Sequence, residues 1–289
     1  MSSAGKILSK LSSMDRRIVH FVILAAVTVP FFIPLGLKTE PTEGSRAFFN
    51  EVQSAAVSGR SVIISVDFGP DTEAENGPML AGVLKHVFKA GGRAVILTFH
   101  ATGRGIAEKY IDTCLRDREY GKDYAFLGYT PSAQNVMLNL SRSFSLDYRT
   151  DARGTELEKL ELMREVKNYD DVALIIDIAN NAIPRFWIQF AVEESGIPMV
   201  AALTGVMAPQ FYPYLQAGQT RAILAGMQQA AEYEILLQES GYAESTSTAV
   251  AAMDSQSMAH GAIVLFIVLG NIGYLASRRR RKETGEKSA

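Results

Sequence analysis

Two long apolar runs, one near each end, constrain this chain more than any other feature of it. Ile18 to Leu37 (IVHFVILAAVTVPFFIPLGL) has 20 residues without a formal charge. At about 1.5 Å per helical residue it reaches roughly 30 Å, the thickness of a bilayer's hydrocarbon core. Ala259 to Ser277 (AHGAIVLFIVLGNIGYLAS) is similar in length and runs straight into Arg278-Arg279-Arg280-Arg281-Lys282, a cluster that resists translocation. The first run is preceded by Lys6, Lys10, Arg16 and Arg17. With the stronger basic flank on the terminal side of each, the pattern predicts two helices that cross the plasma membrane. Both termini are then cytoplasmic and the intervening chain extracytoplasmic.

Two alternatives meet obstacles. A buried helix of a soluble core is also apolar, but two such runs at opposite ends, each against a basic cluster, argue for spans. A cleaved signal peptide has a shorter apolar stretch and a small-x-small cleavage site, and Pro34-Leu35-Gly36-Leu37-Lys38 offers none.

The 289 residues, 47% apolar and 21% charged, suffice for one large domain besides the spans. The net charge of −2 hides an asymmetry, since removing the basic ends leaves a body of about −9. Such an acidic body argues against nucleic acid, whose phosphates need a basic surface. The expected layout is a cytoplasmic 1–17, a span at 18–37, a linker at 38–46, a domain at 47–238, a flexible linker at 239–258, a span at 259–277 and a basic tail at 278–289. The lone Cys114 permits no internal disulfide and falls on the helical stripe Ile106, Tyr110, Cys114, as a small buried residue does.

Between the spans, β-branched runs alternate with amphipathic helices. Ser61 to Val66 is a strand, Pro78 opens a helix with Met79, Leu80, Val83, Leu84, Val87 and Phe88 on one face, and Arg93 to Phe99 is the next strand. A further helix follows, then a short strand near Tyr124 to Tyr129. Thr155 and Glu158 have capping-box spacing, Asp171 to Ala179 is a buried strand, Pro184 starts a helix, and Pro198 to Leu203 is a strand. A last helix is expected over Gln219 to Gln238. Strands apolar on both faces and joined by helices predict a doubly wound, mainly parallel sheet, Rossmann-like or flavodoxin-like.

In such a fold chemistry gathers at the carboxyl ends of the strands. The polar residues expected there are Asp67 and Asp71, His100 and Thr102, Asp177, Asn180 and Asn181, and Thr204. Asp67, Asp71 and Asp177 have the chemistry to hold a divalent cation or to act as acid and base, and the Gly103-Arg104-Gly105 turn opens a helix able to receive an anion. Each also has a structural reading, because Asp and Asn cap helices and glycine serves turns. The phosphate-loop pattern, the third glycine of a dinucleotide fingerprint, His-Glu-x-x-His and Gly-x-Ser-x-Gly are all missing from the sequence. No metal or cofactor is therefore predicted. Within the spans, His20 and Asn271 are polar residues at comparable depth, and Gly270 and Gly273 allow close approach, which predicts a packed helix pair.

The segments Met253 to His260 (MDSQSMAH), Phe211 to Gln219 (FYPYLQAGQ) and Ala230 to Glu234 (AAEYE) resemble a family of uncharacterised prokaryotic membrane proteins of span, domain, span layout. The resemblance covers the whole chain and implies no activity. Three functions fit: a non-catalytic binding or assembly module working with partner membrane proteins or as a homo-oligomer, an extracytoplasmic hydrolase using Asp67, His100 and Asp177, and an accessory subunit of an oligomeric transport system. The first is preferred, because the short cytoplasmic ends hold no folded output domain.

Overall fold

The computed structural model describes residues 15–33, 40–243 and 248–284. Lys6, Lys10, Lys38 and the small polar stretch at 244–247 lie outside them. The chain divides into two compact units, Thr39–Ala249 and the pair Met1–Lys38 with Val250–Ala289.

The larger unit is built on six parallel strands: β1 (Ser61–Asp67), β2 (Ala94–Thr98), β3 (Tyr124–Tyr129), β4 (Val172–Ala179), β5 (Met199–Leu203) and β6 (Ala222–Ala225). Their spatial order is β3-β2-β1-β4-β5-β6, which decides for the Rossmann-like arrangement over the flavodoxin-like one. Every residue of β1, β2, β4 and β5 is buried. Both faces must therefore be covered, and the continuous apolar runs of these strands follow from that.

One face carries α2 (Glu43–Ala56), α3 (Glu73–Lys89), α4 (Gly103–Cys114) and, further along the chain, Gly226–Glu239. The other carries α5 (Ala133–Leu140), the short α6 (Glu161–Glu165) and α7 (Ile183–Trp187), which continues through a π-turn at Ile188–Val192. Ile63, Ile175 and Ala179 of the central strands meet Met137, Leu140, Trp187 and Ile188 in that second core.

Several expectations need correction. Helix α3 begins at Glu73, five residues before Pro78, because the Thr72 carbonyl receives the N–H groups of Glu75 and Asn76 and two glutamates complement the first turn. Thr155 and Glu158 form no capping box: the Thr155 N–H is taken by the Asp151 carboxylate, and a 3-10 turn at Leu157–Lys159 precedes α6. The helix expected from Gln219 starts at Gly226. Ala222–Ala225 pairs with β5 as an edge strand, where cross-strand pairing overrides the helical propensity of Ala and Leu. Helix α2 occupies part of the expected linker at 38–46, since Phe48, Val52, Ala55 and Ala56 recur at helical spacing and are buried.

The smaller unit holds α1 (Arg16–Phe32), capped by the Asp15 carboxylate on the Arg17 N–H at 2.9 Å, and a long helix at Thr248–Thr284. That helix begins inside the expected flexible linker. Ala251–Leu275 within it is long and apolar enough to cross a membrane, and among the described residues one helix meets that description. Large apolar side chains point outward from both helices, among them Phe21, Leu24, Val264 and Ile267. The Ser255 hydroxyl donates to the Val27 carbonyl at 2.8 Å and links the two.

Candidate functional site

The strand order reverses direction between β1 and β4, so the loops leaving these neighbours turn to opposite faces and open a crevice at the carboxyl edge. Gly69, just after β1, is the point of convergence. A Cβ placed there would lie 2.5 Å from Asp71 Oδ1, 3.3 Å from Thr102 Oγ1 and 3.4 Å from His100 Cε1. Thr102 Oγ1 and His100 Nδ1 are 3.0 Å apart, and Asn180 Nδ2 donates to Asp71 at 3.2 Å. The predicted Asp71, His100, Thr102 and Asn180 therefore meet at one place. Asn181 instead holds the backbone in shape, since its Nδ2 donates to the Asp67 carbonyl at 2.7 Å and its Oδ1 accepts the Ile183 N–H that starts α7. Thr204 is buried at the end of β5, where its carbonyl receives the N–H groups of Met207 and Ala208.

Asp67 and Asp177 lie beneath the crevice rather than in it. Asp177 pairs in register with Ser65, so residues 65, 67 and 177 face the same side as Ile63 and Ile175, toward the core around Trp187. Both carboxyls are 0% exposed. Asp67 accepts the Phe99 N–H at 2.6 Å and the Ser65 hydroxyl, with the Thr98 hydroxyl more distant at 3.5 Å. Neither oxygen of Asp177 is reached by a donor among the described residues. Its partner is the Asp67 carboxylate, and the contact is favourable only when Asp177 carries the proton.

Burial first, then the charge of Asp67, hold Asp177 well above the usual carboxylate range. Burial also pushes Asp67 up to about 6, restrained by hydrogen bonds from Ser65, Phe99 and Asp177 and by nearby His100. As pH rises, Asp177 is therefore the second of the two to give up its proton. This corrects the expectation of a three-aspartate cation site: Asp71 is exposed and bonded to Asn180, apart from the sealed pair. Among the described residues no group of three acidic, histidine or cysteine side chains is placed to hold a metal ion.

The helix ends at this edge are already satisfied. Glu73 and Glu75 sit in the first turn of α3, so the positive end of the helix after β1, the seat of a pyrophosphate in dinucleotide-binding folds, meets the protein's own carboxylates. Glu75 accepts the Gly205 N–H at 2.7 Å. At the start of α4, the Gly103 N–H is given to the His100 carbonyl. A Cβ on Gly103 would collide with the Val66 carbonyl, so this glycine serves close packing of helix on strand rather than an anion.

Sequence reasoning missed a second feature of the same edge. A cavity of about 460 Å³ at the end of β3 is lined by Arg104, Thr130, Asp147, Tyr148 and Arg149, among others. Its wall is a loop organised by Asp151, whose carboxylate accepts the N–H groups of Arg153 and Thr155 at 2.9 and 2.7 Å and the Tyr120 hydroxyl at 2.5 Å. Gly128, at φ +80°, lets this loop approach, since a Cβ there would lie 3.2 Å from Ala152 Cβ. The available signal was the charged and aromatic run Asp147 to Arg153 (DYRTDAR) in a stretch without periodicity.

In the smaller unit His20 and Asn271 are both exposed, and neither hydrogen-bonds to another side chain among the described residues. Gly273 is buried, whereas Gly270 faces open space. A contact that joins the helices is Ser255 to Val27, which sequence reasoning did not single out.

Fold and site together define a doubly wound, Rossmann-like α/β protein with a sealed carboxyl pair under its switch point. No protein-family model, curated protein or solved structure matches the chain.

Proposed function

We propose that the chain is a membrane-anchored binding module without catalytic activity, whose α/β domain faces the extracytoplasmic side and acts with partner membrane proteins or with further copies of itself. The observation that carries the reading is the complete burial of Asp67 and Asp177. A hydrolase built on them needs an acid or base in contact with substrate. The groups that do reach the crevice, Asp71, His100, Thr102 and Asn180, form hydrogen-bonding surface for recognition. The layout resembles that of the prokaryotic span, domain, span family.

Two bilayer spans are supported by the outward-facing apolar side chains of α1 and Ala251–Leu275, by Arg16 and Arg17 before the first and by Arg278 to Lys282 after the second. Two spans on one chain run antiparallel. With Ser255 beside Val27, His20 is then level with Ala262, and Asn271 lies nine residues further along, about 13 Å away. That separation does not allow a His20–Asn271 bond, whereas Ser255 does link the pair.

The test is a photo-crosslinking amino acid at Thr102 in native membranes, combined with the mass of the purified protein in detergent. A discrete adduct with a second copy or with one membrane protein supports the reading. An uncrosslinked monomer that turns over ester or phosphoester substrates contradicts it.

A further inference from the structure

The cavity at the end of β3 contains opposite charges that the protein leaves unpaired. Arg149 is exposed, and among the described residues its guanidinium has neither an ion pair nor a hydrogen bond. Asp147, two residues away, uses Oδ1 for a long 3.4 Å bond from Asn139, while Oδ2 is buried without a donor. Tyr148, between them in sequence, is 3% exposed and packs into the core, with its hydroxyl on the side of Thr130 and Asp67. A ligand that carries both charges pairs with Arg149 and with Asp147, through charge-assisted hydrogen bonds that are roughly twice as strong as neutral ones. Arg104 adds a second guanidinium at the rim, fixed by Glu108 at 3.0 Å and by the Ala152 carbonyl at 3.2 Å.

We infer that this cavity binds a small zwitterion of the free amino acid class, its carboxylate on Arg149 and Arg104 and its ammonium on the Asp147 carboxylate. A plain anion would satisfy the arginines and leave the Asp147 carboxylate without a cation. A plain amine would do the reverse. The volume of about 460 Å³ exceeds that of an amino acid backbone and leaves room for a side chain. The loop that places these residues is rigidly held by Asp151 and by the close approach at Gly128, so the site is largely preformed.

This assignment deepens the binding-module reading and rests on it, but it is independent of topology and of the crevice at Gly69. The test uses the full chain in detergent, with Trp187, the single tryptophan and fully buried, as the fluorescence reporter of thermal unfolding. Calorimetric titration runs beside it, and the probes are L-serine, L-leucine, L-glutamate and L-arginine. Lactate and ethanolamine serve as controls that lack the ammonium or the carboxylate. At least one amino acid should raise the unfolding temperature and bind, and both controls should bind at least tenfold more weakly. Arg149→Ala and Asp147→Asn should each weaken the amino acid at least tenfold, with Arg149→Lys partly restoring it. Lactate binding as tightly as the amino acids would overturn the zwitterion assignment in favour of a simple anion site. Binding that Arg149→Ala and Asp147→Asn leave unchanged would place the ligand elsewhere, and no binding by any probe would remove the assignment while leaving the Thr102 crosslinking result to judge the wider reading.

Discussion

Asp177 faces the same side of the β1–β4 ladder as Asp67 and neither of its oxygens has a donor among the described residues, while Asp67 is held by Phe99 and Ser65. The two aspartates are therefore unequal. Asp67 is the acceptor of several donors, whereas burial and the Asp67 charge favour the protonated form of Asp177. Asp67→Asn would turn an amide N–H₂ toward the Phe99 N–H or the Ser65 hydroxyl and should destabilise the domain by about 1–3 kcal/mol. Asp177→Asn keeps a donor toward Asp67 and should be neutral at acidic pH. Thermal unfolding followed at Trp187 measures both, and equal losses from the two substitutions would contradict the assignment of the proton.

The pair also sets a pH dependence. An acid whose folded pKa is raised makes the folded state bind more protons than the unfolded one, so stability is fully present below the unfolded value near 4 and falls as pH rises. For Asp67 that fall spans about pH 4 to 6. For Asp177 it continues above, at up to about 1.4 kcal/mol per pH unit. Wild-type protein should go on losing stability above pH 6, and Asp177→Asn should flatten that upper limb. Unfolding temperatures across pH 5 to 9 decide the matter.

His86 carries the opposite sign. Burial lowers its pKa to about 4. Its Nδ1 contacts the Tyr233 hydroxyl at 2.7 Å and its Nε2 contacts Gln53 Oε1 at 2.8 Å. Gln53 Oε1 can only accept, so in the neutral ring Nε2 carries the hydrogen and Tyr233 donates to Nδ1. A base with a depressed folded pKa stabilises above its unfolded value near 6.5 and loses that contribution as pH falls toward 4. His86→Gln should lower overall stability but remove this acid-side loss, visible as a shallower decline between pH 6.5 and 4.

Glu232 ties the start of α2 to the helix at Gly226–Glu239. It accepts the Thr42 N–H at 3.0 Å and the hydroxyls of Thr42 and Ser45 at 2.6 and 2.5 Å. Burial alone would raise its pKa, but these bonds and one from Gln228 hold it below the usual range. Glu232→Ala strands two hydroxyls and should cost about 2 kcal/mol, lowering the unfolding temperature by several degrees. Loss of protection should appear first in hydrogen exchange of 43–56.

For the helix pair, cysteines at positions 27 and 255 in a Cys114→Ser background should crosslink within one chain, and cysteines at 20 and 271 should not. The reverse pattern would displace Ser255 from the contact.

Where the sequence was legible, the physics was periodic. The buried runs at Ser61–Asp67 and Val172–Ala179 announce strands because both faces are covered, and the convergence of Asp71, His100, Thr102 and Asn180 follows from their places after parallel strands. Burial depth was not legible. Asp67 and Asp177 read like residues of an open cleft, and only the register with Ser65 and the packing of Trp187 seal them. The edge strand Ala222–Ala225 was hidden by its helix-forming composition, and the Asp147 to Arg149 cavity by a loop whose shape depends on Asp151 and has no period to read.

The most direct test of the account is topology. Glu158 is exposed on the α/β domain, so Glu158→Cys in the Cys114→Ser background should react with a membrane-impermeant thiol reagent in intact cells or spheroplasts, while a reporter fused after Ala289 reads as cytoplasmic. Protection of position 158 until the membrane is broken, with the terminus labelled from outside, would contradict the extracytoplasmic, two-span account.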